Sequence, residues 1–204
     1  MTNGRSLDAR LYLDVNSFAR HSAFAHGFMA FYAHDFGLVL LGLLLLAAWW
    51  RARSRPDPAR AVARALWVAA GTVVAWGLAH YVLKPAIAER RPYLVLPHVE
   101  VLLGRTNEFS FPSGHATVAG AVILGLWLCR DYLLGTLATV VGLLLAFGRV
   151  YTGMHYPGDV LGGLVFGAAV LVVLWVPAVG ILSRFDRYQL DHRTLLAPLV
   201  AARR

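Results

Sequence analysis

Residues 158–182 read GDVLGGLVFGAAVLVVLWVPAVGIL, twenty-five residues in which Asp159 is the one charge. In a helix rising 1.5 Å per residue, about twenty apolar residues cross the hydrocarbon of a bilayer. A surface helix of a soluble domain is apolar along one stripe, whereas this stretch is apolar all round. Four further stretches read the same way: residues 28–50, 61–83, 114–129 and 132–150. His34 and Asp35 interrupt the first, and the third is short for a span unless it begins in a protein-lined pocket. The sequence therefore predicts an all-α, polytopic membrane helix bundle: five transmembrane helices in a single domain over residues 1–204.

The composition agrees. The chain is 58% hydrophobic and 15% charged, against roughly 25% charged in soluble domains. A formal charge of +8 raises the question of nucleic acid, which requires cations gathered on one polar face. Here they lie between apolar runs, as membrane topology places them, so a bilayer and not nucleic acid is the expected partner. Cys129 is the one cysteine, which excludes an intramolecular disulfide framework. The first twenty residues have no apolar core, so a cleavable signal peptide is not expected. Leu7, Leu11, Val15 and Phe18 recur there at helical spacing, with Asp8, Arg10, Asp14 and Asn16 on the other side. That pattern predicts an interfacial helix over about residues 6–20.

Cations flanking spans are retained on the cytoplasmic side. One face of the predicted bundle holds Arg51, Arg53, Arg55, Arg60, Arg64, Arg130, Arg184, Arg187, Arg193, Arg203 and Arg204, eleven in all. The other holds eight: Arg5, Arg10, Arg20, Lys84, Arg90, Arg91, Arg105 and Arg149. The expected location is the plasma (inner) membrane, with the N-terminus and the long loop of residues 84–113 facing outward.

Three clusters fall on that outer face. Lys84, the single lysine, ends the second span and is followed by Arg91 and Pro92. Pro112-Ser113-Gly114-His115 opens the third. A helix N-terminus presents free N–H groups, and Gly114 would let an anion approach them. His115 beside that anion could give a proton to a leaving oxygen. The third cluster is Arg149, His155 and Asp159; a carboxylate on one ring nitrogen fixes the tautomer that leaves the other nitrogen's lone pair free. Taken singly, each has a plainer reading as a snorkelling anchor, a helix cap or a dipole partner.

Jointly the three clusters resemble the type 2 phosphatidic acid phosphatase superfamily of lipid phosphate phosphatases, which shares its pocket with the vanadium-dependent haloperoxidases. Lys84, Arg91 and Pro92 match that family's first motif, Pro112 to His115 its second, and Arg149, His155 and Asp159 its third. Gly148 stands where the family usually has Ser. The stretch from Leu11 to Phe31 is similar to bacterial undecaprenyl diphosphate phosphatases of the bacitracin-resistance type. The resemblance implies His155 as nucleophile, His115 as general acid, Asp159 as the residue orienting His155, and Lys84, Arg91, Ser113, Gly114 and Arg149 as phosphate ligands. It also implies a lipid phosphate or diphosphate substrate, a phosphohistidine intermediate and no cofactor or metal. Acidic residues other than Asp159 are scattered, without the carboxylate cluster that Mg or Mn takes.

His80 lies one turn before Lys84 and could lean on the site. His21, His26, His34, His98 and His192 read as packing or interfacial residues, and Arg105 and Glu108 lie close enough in sequence to the second motif to meet a head group. A polyprenyl diphosphate is the preferred substrate reading. The alternatives are phosphatidic acid or phosphatidylglycerol phosphate on the same residues and, from another class, a silent scaffold or lipid transporter. A transporter would show repeated halves, which this chain lacks.

Overall fold

The computed structural model describes residues 6–192 and 194–202, so Arg5, Arg193, Arg203 and Arg204 of the charge count lie outside the described residues. Among the described residues every regular element is helical. The order is α1 (Leu7–His21), α2 (His26–Phe31), α3 (Gly37–Ala52), α4 (Pro58–Leu78), α5 (Lys84–Ile87), α6 (Pro92–Val95), α7 (Gly114–Leu128), α8 (Tyr132–Tyr151), α9 (Pro157–Val173), α10 (Trp175–Asp191) and α11 (Ala197–Val200). Two π-turns, Tyr32–Phe36 and Ala79–Leu83, join α2 to α3 and α4 to α5.

Among the described residues three helical runs are long and apolar enough to cross a membrane: Ala23–Ala52, Pro58–Val95 and Tyr132–Tyr151. Their outer faces carry Val39, Leu43, Leu46, Val73, Val140 and Leu143 exposed. Leaving such area in water would cost about 25 cal/mol per Å², a cost that lipid removes. His34 and Asp35 do not end the first run; the helix passes through them as the π-turn. The expected fifth span of residues 158–182 is not one straight helix. It breaks at Leu174, where α9 and α10 meet at 53°, and α10 continues to Asp191. Counted as one bent span, the pair makes four, with α7 apolar but shorter. Pro177 accounts for the restart, because its missing N–H falls in the first turn of α10, where no intrahelical partner exists.

The centre of the bundle is α7 packed on α9. A Cβ on Gly120 would stand 2.0 Å from the Leu164 carbonyl oxygen, and one on Gly167 would stand 2.0 Å from that of Thr117. Only glycine permits such an approach, the small-residue solution to packing helices in lipid. Leu41, Val122, Leu126, Leu134 and Leu145 fill the core shared by α3, α7 and α8.

The N-terminal stretch forms a helix, α1, capped by Ser6 Oγ accepting from Ala9 N–H. Leu7, Leu11 and Phe18 are exposed, whereas Tyr12 and Asn16 are buried. Asn16 thus departs from the expected polar outer side. Its Nδ2 donates to Glu100 O at 2.8 Å and its Oδ1 accepts from Glu100 N–H at 2.9 Å, pinning the long loop. That loop also folds back on the end of α8 through Leu102 N–H to Thr152 O at 3.1 Å.

Candidate active site

One cavity of about 350 Å³ gathers the three sequence clusters, with Lys84, Arg91, Gly114, His115, Arg149 and His155 on its wall. Each comes from a different place in the fold. Lys84 follows the π-turn of α4, Arg91 precedes α6, His115 lies in the first turn of α7, Arg149 in the last turn of α8, and His155 in the short link to α9. Ser113 and Asp159 stand behind the wall, joined by Ser113 N–H donating to Asp159 O at 3.0 Å.

His155 is 1% exposed. Arg91 Nη1 lies 3.2 Å from its Nε2, and a guanidinium only donates. Nε2 is therefore the unprotonated nitrogen, and the hydrogen is on Nδ1. Nδ1 faces Asp159 Oδ2 and Ser110 Oγ, each at 3.4 Å, while Ser110 Oγ itself donates to Asp159 Oδ2 at 2.5 Å. The Asp159 carboxylate is held in turn by Tyr156 N–H at 2.8 Å. Burial first, then the Arg149, Arg91 and Lys84 cations and the His115 ring, hold the His155 imidazole well below its ordinary value. The pair with Asp159 is thus a neutral imidazole donating a hydrogen bond, with its Nε2 lone pair accepting from Arg91 at the cavity wall.

The cations are placed by backbone and by one carboxylate. Lys84 Nζ donates to Phe109 O at 2.8 Å and to Glu108 Oε2 at 3.3 Å. Arg91 Nε donates to Glu108 O at 2.9 Å, and its Nη2 lies 3.8 Å from Glu108 Oε2. Burial works to raise the Glu108 carboxyl, but Lys84, His80 and Arg91 outweigh it and hold the group below the usual carboxylate range. Arg149 Nη1 donates to Ala33 O at 2.8 Å. Among the described residues Arg149 Nε and Ser113 Oγ are buried without a hydrogen-bond partner. Ser113 gives α7 no side-chain cap. Unpaired buried donors are costly, and here they flank a polar cavity, an arrangement that an oxyanion would complete.

Ser110, His34 and His80 are the site residues that sequence reading did not single out or left bland. His34 and His80 line the cavity, and the His34 carbonyl accepts from His115 Nε2 at 2.8 Å. Arg105 stacks over Tyr93 at 5.6 Å. Beside the cavity runs an apolar trough of about 390 Å³ lined by Ala30, Phe31, Phe36 and Val39, with which it shares His34, Asp35 and Leu103. No group of three His, Cys, Asp or Glu side chains with the geometry of a metal site occurs among the described residues.

The model of the PAP2 superfamily matches residues 64–179. The undecaprenyl-diphosphatase BcrC of Bacillus subtilis is 28% identical over 159 residues, 78% of each chain. The decaprenylphosphoryl-5-phosphoribose phosphatase of Mycobacterium tuberculosis is 32% identical over 152 residues, 72% of this chain and 75% of that one. In fold the chain is similar to Aquifex aeolicus LpxE, with a TM-score of 0.61 and 23% identity over 85% of this chain and 97% of the other.

Proposed function

The chain belongs to the PAP2 superfamily, and from that premise we propose that this membrane phosphatase hydrolyses a polyprenyl diphosphate, such as undecaprenyl or decaprenyl diphosphate, to the monophosphate through a phosphohistidine on His155. The observation that carries the reading is His155, whose Nε2 lone pair accepts from Arg91 at the wall of a cavity ringed by Lys84, Arg91 and Arg149. The adjoining apolar trough offers room for a lipid chain, and a relative named as an undecaprenyl-diphosphatase supports the choice of lipid.

Phosphoryl transfer depends mainly on positioning and on neutralising charge at the equatorial oxygens. The terminal phosphate enters among Lys84, Arg91, Arg149, the Ser113 hydroxyl and the Gly114 N–H, since the Ser113 N–H is already given to Asp159 O. It draws Arg91 away from Nε2, which frees the lone pair. His155 Nε2 forms a bond to phosphorus, and the bond from phosphorus to the bridging oxygen breaks with its electron pair on that oxygen. His115 supplies the proton. Water then attacks the phosphohistidine, His115 takes the proton from it, and inorganic phosphate leaves. The scheme uses no metal and no cofactor, so activity should survive a chelator. The excess of arginine on the opposite face supports the reading of a plasma-membrane protein with its cavity on the extracytoplasmic side.

The test is phosphate release from a long polyprenyl diphosphate and from phosphatidic acid under matched detergent conditions. The diphosphate is expected to turn over faster. Faster release from phosphatidic acid would assign the glycerolipid alternative, and release from neither would return the chain to the scaffold or transporter class.

A further inference from the structure

The first apolar run carries none of the motif residues, yet it reaches the catalytic histidine and a phosphate-side cation with its backbone. Between α2 and α3 the chain winds one π-turn, Tyr32–Phe36. Such a turn inserts an extra residue into the helical ladder and re-aims the carbonyls within it, and it recurs at functional sites. Two of those carbonyls are spent on the site. Ala33 O accepts from Arg149 Nη1 at 2.8 Å, and His34 O accepts from His115 Nε2 at 2.8 Å.

A second observation ties this turn to the departure at position 148. A Cβ on Gly148 would stand 2.9 Å from Ala33 Cβ. The room a larger residue would take on α8 is filled by the π-turn, one residue away from Arg149.

We propose that the π-turn Tyr32–Phe36 is a positioning element of the reaction, in which the His34 carbonyl does for His115 what Asp159 does for His155. The proposal rests on the reading of His115 as general acid. A carbonyl oxygen only accepts, so His115 Nε2 keeps its hydrogen and the proton for the leaving oxygen comes from Nδ1. As the phosphorus–oxygen bond breaks, the Nδ1–H bond breaks and an O–H bond forms on the departing lipid phosphate. The His34 carbonyl acts toward the doubly protonated ring, since a charged N–H donates the stronger hydrogen bond. In the same turn the Ala33 carbonyl fixes Arg149 against the transferring phosphoryl group.

The test is an amide-to-ester exchange at the His34–Asp35 peptide bond of the full-length protein in detergent. It keeps every side chain and weakens the His34 carbonyl as an acceptor. Turnover is followed on phenyl phosphate, whose leaving group needs a proton, and on p-nitrophenyl phosphate, whose leaving group does not. The expected result is a kcat loss of about tenfold on phenyl phosphate and under about threefold on p-nitrophenyl phosphate, with KM little changed. The same exchange at the Asp35–Phe36 bond leaves the His34 carbonyl intact and should show no such difference. Gly148→Ser, which presses on Ala33, should share the leaving-group-dependent loss and serves if the ester protein does not fold. Equal losses on both substrates, or none, would overturn the proposal. His115→Ala separates the two levels: if it shows the leaving-group dependence and the ester does not, the positioning role alone is wrong. If His115→Ala shows none, the acid assignment fails and the proposal with it.

Discussion

At the scale of the residue, the chemistry turns on which form of His155 the fold selects. Burial and three cations act against its protonation, so the neutral imidazole that the proposed attack requires persists below about pH 6.5. Single-turnover phosphorylation is therefore expected to show no fall in rate from about pH 7.5 to about pH 5.5, where a free imidazole would already be mostly charged. Stability should move the other way. Below about pH 6.5 the unfolded chain takes up a proton that the folded one refuses, so stability rises with pH through that range. A fall in phosphorylation rate centred near pH 6.5 would contradict the assignment. The eight motif residues were legible in the sequence because their types and spacings act jointly, Lys84 with Arg91, Ser113 and Gly114 with His115, Arg149 with His155 and Asp159. Ser110 was not, because its contact with His155 spans 45 positions. The His34 carbonyl was invisible for a different reason, since any residue supplies a carbonyl and its contact with His115 spans 81 positions.

At the scale of the element, the distance between the first-turn residues His115 and Asp159 is set by how closely α7 and α9 pack. Gly167 meets the Thr117 carbonyl, and backbone cannot rotate aside as a side chain can. Gly167→Val should cost roughly 1 to 3 kcal/mol through overpacking and reduce turnover by parting the two helices. Thermal unfolding in detergent together with kcat reads both effects, and a variant with unchanged melting and full activity would show that the contact yields without consequence. The apolar pattern located α7 and α8 to within about a residue, because a lipid-facing surface leaves a continuous apolar run. It did not find the break at Leu174, because an apolar helix reads alike whether straight or bent and only Pro177 marks the restart. Nor did it place Asn16, whose polar side chain is buried because it pairs with both backbone groups of Glu100. A helical wheel assigns polar residues to solvent and has no term for a loop that docks on one.

At the scale of the whole molecule, the two ends of the bundle differ in kind. The cavity occupies one end. At the other, α7 having risen about 22 Å over fifteen residues, Arg51 Nε and Arg55 Nη2 meet Asp131 Oδ2 at 2.7 and 3.3 Å. Burial works to raise the Asp131 carboxyl, and its bonds to Arg51 and the Leu134 N–H, with the Arg55 charge, together outweigh that and lower it. With the arginine excess at this end, a reporter that functions only in the cytoplasm should be active when fused after the C-terminus and silent when inserted near Leu103. The reverse pattern would turn the cavity inward and remove the case for an extracytoplasmic substrate. The central claim, that His155 carries the phosphoryl group, is tested most directly by trapping. Protein quenched in alkali during turnover of a substrate labelled in its terminal phosphate should retain acid-labile label, bound to a peptide containing His155. His155→Ala should retain no label and release no phosphate. Full turnover by His155→Ala, or label recovered on another residue, would contradict the account.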